Sequence, residues 1–213
     1  MNNHDLRHYF LYVAGNATDE SKIPKGIFSL PKVNGEKGYT CTLRDVETEK
    51  FLLKSDIGDY LYGPADIFYD AFRRTDNVKT SFLSADRFPQ YMNVLPDRSF
   101  VVRGQYPILG LMFTDKLYED LDRLGLTRPQ QNFLIFPMGQ DMFGLSPASC
   151  KDTCDKGFTT EMDKIQKKIT YDLLPLEDRV TENVFIYECG KERERVRWDL
   201  DKGDEDGEME EEL

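Results

Sequence analysis

The sequence predicts an α+β fold, mainly antiparallel sheet with two or three helices packed on one side. Three observations carry this. Strand-like and helix-like segments are present, but they do not alternate regularly enough for a parallel βαβ series. The clearest run of local signals, residues 108–137, reads strand, capped helix, strand. The 213 residues are 39% hydrophobic and 12% aromatic, enough for a sizeable core. The expected organisation is one domain over residues 1–198, with a subdomain junction possible near 137–160, followed by a disordered acidic tail over 199–213.

Taken in order, residues 8–14 are aromatic and β-branched and read as a first strand ending at Gly15-Asn16. Residues 16–37 read as loop with a short strand near Ile27. Residues 39–43 and 51–53, flanking a polar stretch, read as a β-hairpin. Pro64 fits the first position of a helix whose inner face is Ile67, Phe68, Ala71 and Phe72, with Arg73 and Arg74 at its negative end. A short helical turn is expected at residues 84–87, and a strand at Phe100, Val101 and Val102.

In the central stretch, residues 108–113 read as a strand. Thr114 sits at the N-cap and Asp115 at the positive helix end. Leu117, Leu121 and Leu124 form one apolar stripe, and Gly125 supplies a left-handed stop. Residues 133–136 read as a second buried strand. Pro137, Gly139, Gly144 and Pro147 then make residues 137–160 the candidate for a long functional loop. Strands are expected at 165–174 and 184–187, and Val196 and Trp198 fall on one face of an alternating segment.

The formal charge of −11 is unevenly spread. Nine acidic residues and one lysine from Asp199 onward hold −8, which leaves −3 for the other 198 residues. No basic excess is present to displace counterions, so direct nucleic-acid binding is not expected. No run approaches the roughly 18 apolar residues that span a bilayer. The N-terminus lacks the basic and apolar regions of a signal peptide, and four scattered cysteines do not suggest a disulfide scaffold. A cytoplasmic protein without a membrane partner is the expectation.

No catalytic set is legible. His4 and His8, the only histidines, stand four apart near the terminus with no third ligand. A histidine-based triad is thereby excluded. Cys150 and Cys154 form a C-x3-C pair without a second knuckle, so free thiols are expected and no metal. Gly104 and Gly110 lack the glycine that completes a dinucleotide fingerprint, and no Walker sequence is present. Asp199, Asp201 and Asp204 imitate a calcium loop but lack its sixth-position glycine. No cofactor is expected.

Asp115, Glu119, Asp120 and Asp122 are expected on the outer face of the central helix. Such a row is commonly a solvated exterior; the functional reading is an acidic contact for a basic partner. Tyr60 and Tyr62, on a Gly-flanked loop, are candidate interface anchors.

The run Phe113-Thr114-Asp115-Lys116-Leu117-Tyr118-Glu119-Asp120-Leu121-Asp122-Arg123-Leu124-Gly125-Leu126, followed by Asn132-Phe133-Leu134-Ile135-Phe136-Pro137, resembles a pattern in immunity proteins of bacterial polymorphic-toxin systems. The aromatic N-terminal strand and residues 56–70 resemble the upstream context. The likeness covers about a third of the chain and is structural rather than catalytic. It implies a small cytoplasmic α+β protein that binds a toxin domain, occludes its active site and has no enzymatic activity of its own. On chemical grounds Asp115, Glu119, Asp122, Tyr60 and Tyr62 are the candidate partner contacts; the oligomeric state is not legible. The alternative is an acidic phage or mobile-element inhibitor that mimics nucleic acid through residues 204–212 to block a nuclease or defence enzyme. An enzyme built on carboxylates with Tyr or Lys is the third reading, and no convergent acid pair marks it.

Overall fold

The computed structural model describes residues 6–14, 40–57, 64–191 and 196–197. The fold is α+β and every strand pairing among the described residues is antiparallel. A two-stranded sheet pairs β1 (Tyr9–Ala14) with β2 (Thr40–Asp45). The second sheet contains β3 (Thr80–Ser84), β4 (Phe100–Gly104), β5 (Gln131–Pro137), β6 (Met142–Ser149), β7 (Phe185–Glu188) and β8 (Val196–Arg197). Its order is β3-β4-β6-β5-β7-β8. The helices are α1 (Pro64–Asp76), the single turn α2 (Pro89–Met92), α3 (Asp115–Arg123) and α4 (Lys156–Lys168).

The large sheet is apolar on both faces, and here the helix placement differs from the one-sided packing expected. Side chains alternate with the pleat. Phe133 and Ile135 join Val102, Phe143, Leu145, Phe185 and Tyr187 on one face, against Leu117 and Leu121 of α3 and against Phe10 and Val13 of β1. Leu134 and Phe136 join Val101, Ala148 and Ile186 on the other, against Tyr91 of α2 and Phe158, Met162 and Ile165 of α4. Two apolar faces need two covers, so helices lie on both sides. A third cluster packs Leu11 and Leu43 of the small sheet on Ile67, Phe68 and Ala71 of α1.

Several local expectations hold. The strands at β1, β4, β5 and β7 and the helices α1 and α3 form where the patterns place them, and residues 85–87 make a 3-10 turn. Gly125 has φ of 66°; its N–H donates to Asp122 O and that of Leu126 to Leu121 O, which closes α3 in a Schellman-type turn.

Others are overturned. Residues 109–113 form a 3-10 turn rather than a strand. Ile108 and Leu109 donate their N–H groups to Gln140 O, and the consecutive residues Ile108 to Met112 are all buried, where a strand on one face would bury alternate ones. Gly110 is required there, since a Cβ would stand 2.9 Å from Leu11 Cβ. Thr114 does occupy the N-cap, but its hydroxyl donates backward to Leu111 O and makes no cap bond. Leu124 lies past the end of α3 and is exposed.

The hairpin expected over 39–53 is reduced. β2 takes β1 as its partner, and the second leg is limited to isolated bridges at Phe51, which pairs with Arg44, and at Leu53. Residues 142–149, expected as loop, are the strand β6 inside the large sheet. Gly144 is a packing requirement, because a Cβ would meet Leu95 and Met138 at 3.0 Å. Residues 165–174 are helical: α4 continues into a π-turn at Ile169–Leu173, with Ile169 and Thr170 both buried. The short strand near Ile27, Trp198 and the acidic tail lie outside the described residues.

Candidate functional site

Three stripes run along α3. Leu117 and Leu121 face the core. Lys116, Asp120 and Arg123 form the second, and the structure corrects the expectation for Asp120. Its side chain is buried beside the apolar stripe and bonded to both the Lys116 ammonium and the Arg123 guanidinium. Asp120 is therefore neutralised within the helix. The third stripe, Asp115, Glu119 and Asp122 at i, i+4 and i+7, is exposed as expected. Asp122 accepts a hydrogen bond from Thr127 Oγ1 at 2.6 Å.

Asp76, the last residue of α1, extends this stripe. Burial pushes its carboxyl above the ordinary range, and Glu119 and Asp115 push the same way, against the opposing pull of Thr114 and Lys116. Its Oδ1 is buried without a hydrogen-bond partner. A negative charge here is held at a cost, which a cation brought to the stripe would relieve.

Tyr60 and Tyr62 lie outside the described residues, as does His4. His8 Nδ1 sits 3.0 Å from Glu47 Oε1. No group of three metal-ligating side chains occurs among the described residues. The cysteines are free thiols with contrasting access. Burial pushes the Cys41 thiol up to about 12, whereas Cys154 is exposed. Iodoacetamide at pH 8 on the folded protein is expected to label Cys154 and spare Cys41. Mass spectrometry of the digest reads this directly, and equal labelling would contradict the buried position of Cys41.

A second feature, which no sequence pattern marks, is a groove of about 410 Å³ where the small sheet meets the β5–β6 turn. It is lined by residues that include Tyr12, Arg44, Tyr106, Pro107, Gln140 and Asp141. Gln140 is the junction. Its Oε1 accepts from Val13 N–H at 3.0 Å, and its Nε2 donates to Val13 O at 2.7 Å. A side-chain amide thus continues the hydrogen bonding of β1 toward the large sheet. The neighbouring backbone is equally fixed, with Asp141 O accepting from Gly104 N–H at 2.9 Å. Gly104 has no room for a Cβ, which would stand 2.2 Å from Ile108 Cγ2. The turn itself needs Gly139, whose φ is 135°.

The only sequence signal near the groove was the Pro- and Gly-rich run from 137, of which just the turn at 138–141 reaches it. Tyr12, Arg44 and Tyr106 come from three separate segments, and nothing in their spacing brings them together.

No family model, curated protein or solved structure matches this chain. No helix among the described residues is long and apolar enough to cross a membrane.

Proposed function

We propose that the chain is an immunity-type binding protein that neutralises a toxin domain by covering its active site, with the outer stripe of α3 as the acidic contact. The observation that carries this reading is the exposed row Asp115, Glu119 and Asp122 beside the disfavoured carboxyl of Asp76. Asp120 is turned inward and paired with Lys116 and Arg123, whereas Asp115, Glu119 and Asp122 lie on the exposed side of the helix. A basic surface placed opposite is steered to this stripe at long range, and association slows as salt screens it. The resemblance of residues 113–137 to immunity proteins supports the same class, and we read the protein as cytoplasmic.

The test starts with a tagged pull-down from the native host and mass spectrometry of what stays bound. The expected result is one stoichiometric partner with a basic, toxin-like domain. The variant Asp115→Asn/Glu119→Gln/Asp122→Asn keeps these exposed positions the same size and removes their charge. It is expected to slow association with that partner by about tenfold or more at low salt, with the difference shrinking as salt rises. An association rate and affinity indifferent to the triple variant would remove α3 from the interface.

A further inference from the structure

We propose that the groove between the small sheet and the β5–β6 turn is a socket for one cationic side chain, an arginine or lysine, presented by a polypeptide partner. This deepens the reading above only in supposing a protein partner, and its test requires none.

The aromatic walls come first. Tyr106 stacks on Phe10 with centroids 5.1 Å apart and planes inclined by 10°, which leaves its outer side uncovered; the residue is 41% exposed. Tyr12 meets Phe51 edge to face at 5.2 Å. The Arg44 guanidinium lies 5.3 Å from the Tyr12 centroid and 5.6 Å from that of Phe51. The chain already stacks a guanidinium on this wall, which shows the chemistry the wall accepts.

The charges then decide the sign of the occupant. Arg44 is answered internally, because its Nη2 lies 3.3 Å from Glu49 Oε2 and its Nε donates to Glu49 O. The Asp45 carboxylate is answered by the N–H groups of Glu47 and Thr48. Asp141 is left at the rim. Asp178 lies close by, since a Cβ on Gly139 would stand 3.4 Å from Asp141 Oδ1 and 3.9 Å from Asp178 Cγ. No ion pair reaches either carboxylate among the described residues. Burial raises the Asp178 carboxyl above its ordinary range, and Asp141 and then Glu177 raise it further, so the two acids repel.

An anion entering the groove would face these carboxylates with only a satisfied arginine in its favour, and an apolar group would bury them unpaired. A cation gains on both counts. A guanidinium is the better match, because its plane can lie on Tyr106 while its fork meets the Asp141 carboxylate. The framework is set in advance, with Gln140, Gly104 and the Tyr106–Phe10 stack fixed by their own partners.

The experiment is a titration of the 15N-labelled full chain with N-acetyl-arginine amide, N-acetyl-lysine amide and N-acetyl-citrulline amide. It follows the Val13 backbone amide, the Gln140 side-chain amide and the Gly104 amide by NMR. Saturable shifts with arginine at millimolar concentration, in the range of about 1–10 mM, are expected. Citrulline, neutral and nearly the same shape, is expected to bind about fivefold more weakly or not at all. Asp141→Asn and, as a second variant, Asp178→Asn should each weaken the arginine titration without moving the citrulline one. The proposal is overturned by a blank titration, by equal binding of citrulline, or by indifference to both variants. The toxin pull-down and the α3 variant are separate readouts, so a blank here leaves that reading standing, and its failure leaves this one standing.

Discussion

Replacing Phe133 by alanine and, separately, Leu134 by alanine is expected to destabilise the protein in both cases, by about 3–5 and about 2–5 kcal/mol. In an antiparallel sheet with one wet face, neighbouring residues on a strand answer such truncation very differently, because one of them points to solvent. Here Phe133 is buried against α3 and the 109–113 turn, and Leu134 against α2 and α4, both without measurable exposure. Each substitution removes buried apolar atoms and leaves a cavity in a close-packed layer. Urea or guanidinium unfolding of the three proteins reads both values. If either variant stayed within about 0.5 kcal/mol of the parent, the cover on that face would be absent or loosely packed.

Gln140→Ala is expected to lower stability by about 1–3 kcal/mol and to release the small sheet ahead of the rest. The change leaves the Val13 N–H and C=O without their partner, next to a Val13 side chain that is fully buried. Gln140→Glu should fail to rescue it, because a carboxylate can accept from the N–H but sets a second acceptor against the carbonyl. Hydrogen exchange discriminates local from global effects. The Val13 amide should lose protection by a larger factor than amides of β5, while equal loss at both would show that the two sheets open together and that Gln140 is no special tie.

The sequence patterns located elements whose signal is local. The Pro64 start and the Ile67, Phe68, Ala71 stripe of α1, the Gly125 stop of α3 and the apolar strand β5 were legible because each depends on its own neighbours. Most of the failures share one physical cause, which is long-range packing that reassigns a local signal. Gly144 and Pro147 read as breakers, yet Gly144 is the contact point for Leu95 and Met138 within a strand. The 108–113 run is apolar enough for a strand, but Leu11 and the Gln140 carbonyl hold it as a turn. Asp120 is the local exception, since Lys116 and Arg123 one turn away on the same helix enclose it. The α3 stripe was readable by helical periodicity, whereas the groove was not, because its walls come from residues far apart in the chain.

The tie between Val13 and Gln140 spans 127 residues, and this has a consequence for synthesis on the ribosome. β1 and β2 emerge early and can pair with each other, and α1 follows soon enough to cover one side of the pair. The partners for Phe10, Val13 and Cys41, which include Leu109, Leu117 and Phe133, arrive much later. At elongation rates of about 5–20 residues per second, the paired strands wait roughly 3–18 s for them with that apolar side uncovered. Gln140 itself arrives in the turn that follows β5, so the latch cannot close before β5 has been made. The N-terminal sheet is therefore expected to depend on chaperone shielding during translation.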